Sequence, residues 1–141
     1  MNANETVLTK FCIELFNSMP DAYVQKRMAT ILRAGEPDVT GILNKIRVEI
    51  EMKIYGNNPT EIQLRALKQW KDLGAISGWA NSITSFIQIF DKEISENQLQ
   101  NIHWFLEAKS KNRALKQQVL DARKYVKELL YSRHNIFWED V

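Results

Sequence analysis

Two runs of strand-forming residues, separated by only two turn positions, constrain this chain more than any other feature. Residues 38–43 and 46–54 read as strands, and Asn44 with Lys45 reads as a two-residue turn. A turn of that length sets the register: Leu43 faces Ile46, Gly41 faces Val48 and Asp38 faces Glu51. Alternation along the second strand puts Val48, Ile50 and Met52 on one face and Glu49, Glu51 and Lys53 on the other.

The rest of the chain arranges itself around this hairpin. Asn4 is placed to cap a first helix carrying Val7, Leu8, Phe11, Cys12, Leu15, Phe16 and Met19 at helical spacing, with Pro20 at its end. Residues 22–28 read as a short strand. After the loop Tyr55, Gly56, Asn57, Asn58, the pattern predicts a helix capped by Asn58, with Pro59 first and Glu61 third. That helix is expected to turn Ile62, Ala66, Leu67, Trp70 and Leu73 inward and to stop at Gly74. Residues 75–80 read as a strand. From about Ser82 the pattern is helical, with a capping box at Ser95 and Gln98 and a last helix over 112–133. The order α-β-β-β-α-β, then helices, predicts an α/β core with a mixed sheet.

Composition narrows the class. The chain has 141 residues, 26% of them charged, and a net charge of +2, which permits an anionic partner without demanding one. Cys12 is the sole cysteine, so an internal disulfide and a multi-cysteine zinc site are excluded. No apolar run approaches the ~20 residues of a membrane span, and the first ten residues lack a secretory pattern. The expectation is a cytoplasmic protein with no membrane partner.

The chemistry concentrates in the hairpin. Directly opposed residues of an antiparallel pair have Cβ atoms about 4.5–5.5 Å apart, so the Asp38 and Glu51 carboxylates converge, with Lys53 next along the same face. Opposed like charges destabilise a hairpin unless something lies between them, and a divalent cation is one remedy. A cation of that kind lowers the pKa of a bound water and polarises a phosphoryl oxygen, while a nearby lysine stabilises developing charge. A Glu-x-Lys on a strand is usually a solvated face. The Pro37-Asp38 step, placed to pair with it, is what favours phosphodiester hydrolysis.

Gly35-Glu36-Pro37-Asp38, Gly41, Glu51-Met52-Lys53, Gly56, Pro59-Thr60, Gln63 and Gly74-Ala75 together resemble the VRR-NUC family of PD-(D/E)xK nucleases. Those proteins are similar to Holliday-junction resolvases and need magnesium or manganese. The resemblance implies a restriction-endonuclease-like core over residues 1–81, with 82–141 a helical extension of the same compact unit. It makes Asp38, Glu51 and the Met52 carbonyl ligands of Mg2+ or Mn2+, Lys53 the catalytic lysine, and Gln63 a catalytic-site support. It also implies a metal-binding carboxylate on the first helix, which Glu5 fits best and Glu14 second. The likeness covers residues 5–80; the C-terminal helices depart from it and leave substrate choice open.

The implied function is a metal-dependent DNA endonuclease selective for branched or junction DNA. A sequence-specific endonuclease of restriction or homing type is an alternative, and a non-catalytic nucleic-acid-binding module is another. Lys26, Arg27, Arg33, Lys109, Lys111 and Arg113 are the first candidates for DNA contact. Lys116, Arg123, Lys124 and Lys127 add to a basic C-terminal region, in which Glu107, Asp121 and Glu128 are interspersed as on a solvated helix face. His103 and His134 lack metal-ligand spacing, and the four tryptophans read as core or interface. Phe86, Ile87, Ile89 and Phe90 form a densely apolar helix, either core or half of a dimer interface. Leu115, Val119, Ala122, Val126 and Leu129 or Leu130 recur as an apolar stripe, whose burial is expected to draw in a second copy and make a homo-oligomer.

Overall fold

A computed structural model describes residues 3–28 and 35–138. Helix α1 (Ala3–Asn17) leads into strands β1 (Ala22–Lys26), β2 (Val39–Leu43) and β3 (Ile46–Met52). Helix α2 (Glu61–Asp72) crosses to β4 (Ile76–Ala80), and α3 (Ile83–Phe90), α4 (Glu96–Ala108) and α5 (Lys116–His134) follow. The four strands make one sheet in the order β1-β2-β3-β4; the first two pairings are antiparallel and β3 with β4 is parallel. This is an α/β fold with a mixed sheet.

The hairpin register is Leu43 opposite Ile46, Gly41 opposite Val48 and Val39 opposite Ile50. Asn44 and Lys45 both take positive φ, 50° and 70°, as a two-residue hairpin turn of right-handed strand twist requires. The turn is tied down from outside: Gln98 Nε2 donates to Asn44 Oδ1 at 2.8 Å and Asn44 donates to the Glu93 carbonyl at 2.9 Å. Gly41 is needed because β1 passes so close that a Cβ there would sit 2.7 Å from the Val24 Cα.

One sheet face carries Val24, Val39, Leu43, Val48, Ile50 and Met52, all buried. Helices α1 and α3 cover it, with α4 and α5 packed behind them. Phe16, Phe86 and Phe90 meet edge-to-face at 4.9–6.2 Å where α1 crosses α3, the geometry that aromatic quadrupoles favour. The opposite face is covered by α2 over β3 and β4 alone, leaving Tyr23 and Ile42 exposed on β1 and β2.

Several expectations are corrected. The cap of α2 is Thr60, not Asn58: its hydroxyl accepts from the Gln63 N–H, and Gln63 returns the bond to the Thr60 N–H. That reciprocal pair satisfies two helix-end donors, which Asn58 two residues earlier does not. Ile62 and Leu73 are exposed rather than inward, since α2 meets the sheet on a narrow stripe centred on Leu67. Gly74, at φ 99°, does end the helix, and the Ser95–Gln98 box does cap α4. Helix α5 begins at Lys116 rather than residue 112, where Asn112 Oδ1 instead accepts from the Leu115 N–H.

The apolar stripe of α5 needs no second copy. Leu115, Val119, Ala122, Val126 and Leu130 are all buried within the chain, in one continuous core with the sheet. Phe86, Ile87 and Phe90 belong to the same core. Among the described residues no helix is long and apolar enough to cross a membrane.

Candidate active site

Asp38 sits one residue before β2, at the step where the hairpin register meets Glu51. Its Oδ2 accepts the Met52 N–H at 3.2 Å. The Glu51 carboxyl is buried and lies beside the Asp38 carboxyl. Burial, then the adjacent Asp38 charge, pushes the Glu51 pKa up to about 8, while Lys53 nearby pulls the other way. Two carboxyl groups and one ammonium therefore meet on the α2 face at the end of β3.

Gln63 reaches this group from the first turn of α2, donating from Nε2 to Glu51 Oε2 at 3.1 Å. The other oxygen, Glu51 Oε1, is buried with no partner. A buried carboxylate oxygen without a donor needs a proton or a cation. The donor set of two carboxylates suits a hard divalent cation, so the residues present fit the metal that the sequence resemblance implies. Met52 meets Asp38 through its backbone N–H, its side chain being buried on the core face. Lys53 keeps β3 in place by donating its N–H to the Ala80 carbonyl at 2.8 Å, and its side chain is part-exposed beside Glu51.

A second cluster, which sequence reasoning missed, holds Asp38 in place. Glu49 is fully buried on the same face as Glu51, and Arg27, Thr40 and Arg47 all donate to it. Arg27 also donates from Nε to the Pro37 carbonyl at 3.0 Å and pairs with Glu36 at 3.3 Å. Its backbone N–H bonds the Asp38 carbonyl at 2.6 Å. Arg27 thus clamps Glu36, Pro37 and Asp38 to β3, and its guanidinium is committed there rather than offered to DNA. The hairpin register places Thr40 opposite Glu49, a signal that was present in the sequence.

The remaining candidates divide. Glu5 lies in the first turn of α1, part-buried, and neighbouring Asn4, Val7 and Leu8 line a depression with Ile54 and Tyr55 just beyond Lys53. Among the described residues no three His, Cys, Asp or Glu side chains are gathered for a metal, so Glu5 does not join Asp38 and Glu51 in such a set. Glu14 is exposed further along α1, 4.0 Å from Lys109, which itself lies over the Phe105 ring. Lys26 is exposed on the α1 side, not on the carboxylate face. Lys111 and Arg113 are exposed on the turn before Ala114 and Leu115, which line the same depression as Tyr55. Arg33 lies outside the described residues. His103 is buried with its ring on Trp138 at 4.4 Å, far from a ligand role at the hairpin.

No family model, curated protein or solved structure matches this chain.

Proposed function

We propose that this chain is a metal-dependent endonuclease that hydrolyses DNA phosphodiesters, with a PD-(D/E)xK core formed by α1, β1–β4 and α2. The observation that carries the reading is the pairing of part-exposed Asp38 with buried Glu51, whose Oε1 has no hydrogen-bond partner among the described residues, with Lys53 beside it on the same strand face. Asp38 and Glu51 would hold magnesium or manganese, joined by the Met52 carbonyl. Such a cation, when bound, polarises a phosphoryl oxygen and makes a nucleophile of water near neutral pH.

The protein's own groups do the rest. Gln63 fixes one Glu51 oxygen, which leaves the other aimed for binding. The clamp of Arg27 on Glu49 and Glu36 fixes Asp38 before substrate arrives, so no reorganisation accompanies the reaction. The Lys53 ammonium stabilises charge that develops on the phosphate oxygens. Lys111 and Arg113, exposed on the turn before Ala114 and Leu115, would meet flanking phosphates.

The test is cleavage of linear duplex, flap and four-way-junction DNA with magnesium, with manganese and with neither. Metal-dependent cuts preferring the branched substrates support a junction-selective enzyme; cuts at defined sites in linear duplex move the assignment to the restriction or homing type. Binding without cleavage of any substrate overturns the enzymatic reading.

A further inference from the structure

A second site lies on α5, away from the carboxylates. There, a cleft of about 850 Å³ is lined by Leu120, Arg123, Lys124, Lys127, Tyr131 and Phe137. Glu128 and Trp138 complete the lining, so three cations face one carboxylate. Leu120, Lys124, Lys127 and Tyr131 recur at three- and four-residue steps and form one stripe about 16 Å long at 1.5 Å per residue. The core stripe of α5, through Val119, Ala122, Val126 and Leu130, is a different one.

Two further observations point to what fills it. Among the described residues, the buried donors Arg123 Nε and Trp138 Nε1 have no acceptor, and both residues line the cleft. Buried donors in folded proteins are nearly always bonded, and the described residues supply neither of these two with an acceptor. Arg123 Nη2 is 3.6 Å from Glu107, which holds the guanidinium in place while Nε stays unmet. The second observation is aromatic: Tyr131 and Phe137 are 60% and 74% exposed, and their rings meet edge-to-face at 6.4 Å.

We propose that this cleft binds a nucleic-acid strand, its phosphates on Arg123, Lys124 and Lys127 and its bases on Tyr131 and Phe137. The choice of polyanion rests on the nuclease reading; the cationic lining and the exposed rings do not. Phosphate oxygens only accept, and the Arg123, Lys124 and Lys127 side chains that line the cleft only donate. Every base has a π-face for an aromatic side chain, whereas an acidic peptide or a free phosphate leaves both rings unused. The cleft shares no lining residue with the Asp38–Glu51 centre, so it acts as a distal grip on the substrate.

The experiment is anisotropy of a short labelled single-stranded oligonucleotide in excess EDTA, where no metal-dependent cleavage proceeds. Tyr131→Ala and Phe137→Ala are each expected to weaken binding about tenfold, the effect of losing one stacked base. Lys124→Ala should flatten the salt dependence by about 0.7 in log–log slope, as loss of one phosphate contact does on a single strand. All three side chains are exposed or at the rim, and circular dichroism checks that the variants fold. Wild-type affinity in the aromatic variants overturns the proposal. So does displacement of the oligonucleotide by poly-glutamate or inorganic phosphate at equal charge, which gives the cleft to an acidic protein or a free anion. A dimer by sedimentation that Tyr131→Ala dissociates gives it instead to a second copy and also overturns it. Absent cleavage with intact binding defeats the nuclease reading alone; cleavage with binding indifferent to the cleft defeats this one alone.

Discussion

Gln63 donates to Glu51 Oε2 at 3.1 Å while its own Oε1 accepts the Thr60 N–H at 2.8 Å, so one side chain both caps α2 and orients a buried carboxylate. Gln63→Ala removes both bonds. Loss of a cap and of a buried hydrogen bond should lower stability by about 1–3 kcal/mol in urea unfolding. Gln63→Glu keeps the acceptor for Thr60 but sets a carboxylate against Glu51, so it should retain most of the stability and lose metal-dependent cleavage. Equal stability and activity in both variants would detach Gln63 from the site.

Lys53→Ala is expected to abolish cleavage, a loss of about a hundredfold or more for one charge-stabilising group. The side chain lies on the part-exposed polar face and fills no core cavity, so the thermal midpoint should barely move. Calorimetric manganese binding should survive, because Lys53 opposes rather than supplies the cation. A purified variant that cuts at the wild-type rate removes Lys53 from the chemistry.

The hairpin and its face were legible in the sequence because period-two alternation and a two-residue turn leave one register. The convergence of Asp38 on Glu51 follows from that register alone. The cap of α2 was misplaced because Asn58-Pro59 carries the same local signal as Thr60, and only the return bond from Gln63 decides between them. The fate of the α5 stripe was not legible. Periodicity marks Leu115, Val119, Ala122 and Val126 for burial but is silent on what buries them, and α3 and α4 suffice. The Arg27–Glu49 clamp joins residues 22 apart in the chain, and no local pattern encodes it.

The raised Glu51 pKa sets a pH dependence for the metal-free protein. A carboxyl whose folded pKa is about 8 and whose ordinary value is 4.5 favours folding while it is protonated. That contribution is complete below pH 4.5 and is lost as pH rises through 8. The urea midpoint without metal should therefore fall across this window. Saturating magnesium or manganese should flatten the slope, and Glu51→Gln should remove it. A Glu51→Gln protein with the wild-type pH slope would show that another group is responsible.

Because Glu5 stands outside the Asp38–Glu51 pair, Glu5→Gln is expected to weaken metal-dependent cleavage less than the loss of either of those carboxylates, and Glu14→Gln to leave it unchanged. The first turn of α1 borders the depression beside Ile54 and Tyr55, whereas Glu14 lies further along the helix beside Lys109. The reverse outcome in parallel rate measurements would transfer the role to Glu14.

The clamp on Asp38 makes the last prediction. Glu49 is fully buried, and Arg27, just past the end of β1, pairs with it, with the same guanidinium holding Glu36 and the Pro37 carbonyl. Arg27→Ala leaves a buried carboxylate short of its main counter-charge, a change that typically costs about 3–5 kcal/mol. Arg27→Lys restores the charge but not the fork, since one ammonium cannot reach Glu49, Glu36 and the Pro37 carbonyl in a single plane. It should recover much of the stability while leaving Asp38 loosely held. Glu49→Gln keeps an acceptor for Thr40 and Arg47 and should be the mildest of the three. Urea unfolding ranks the stabilities, and calorimetric manganese titration reads the carboxylate pair directly. Arg27→Lys should weaken manganese binding more than Glu49→Gln does, because the lysine no longer ties the Pro37 carbonyl. If all three variants bind manganese like the wild type, the cluster stabilises the fold without positioning Asp38.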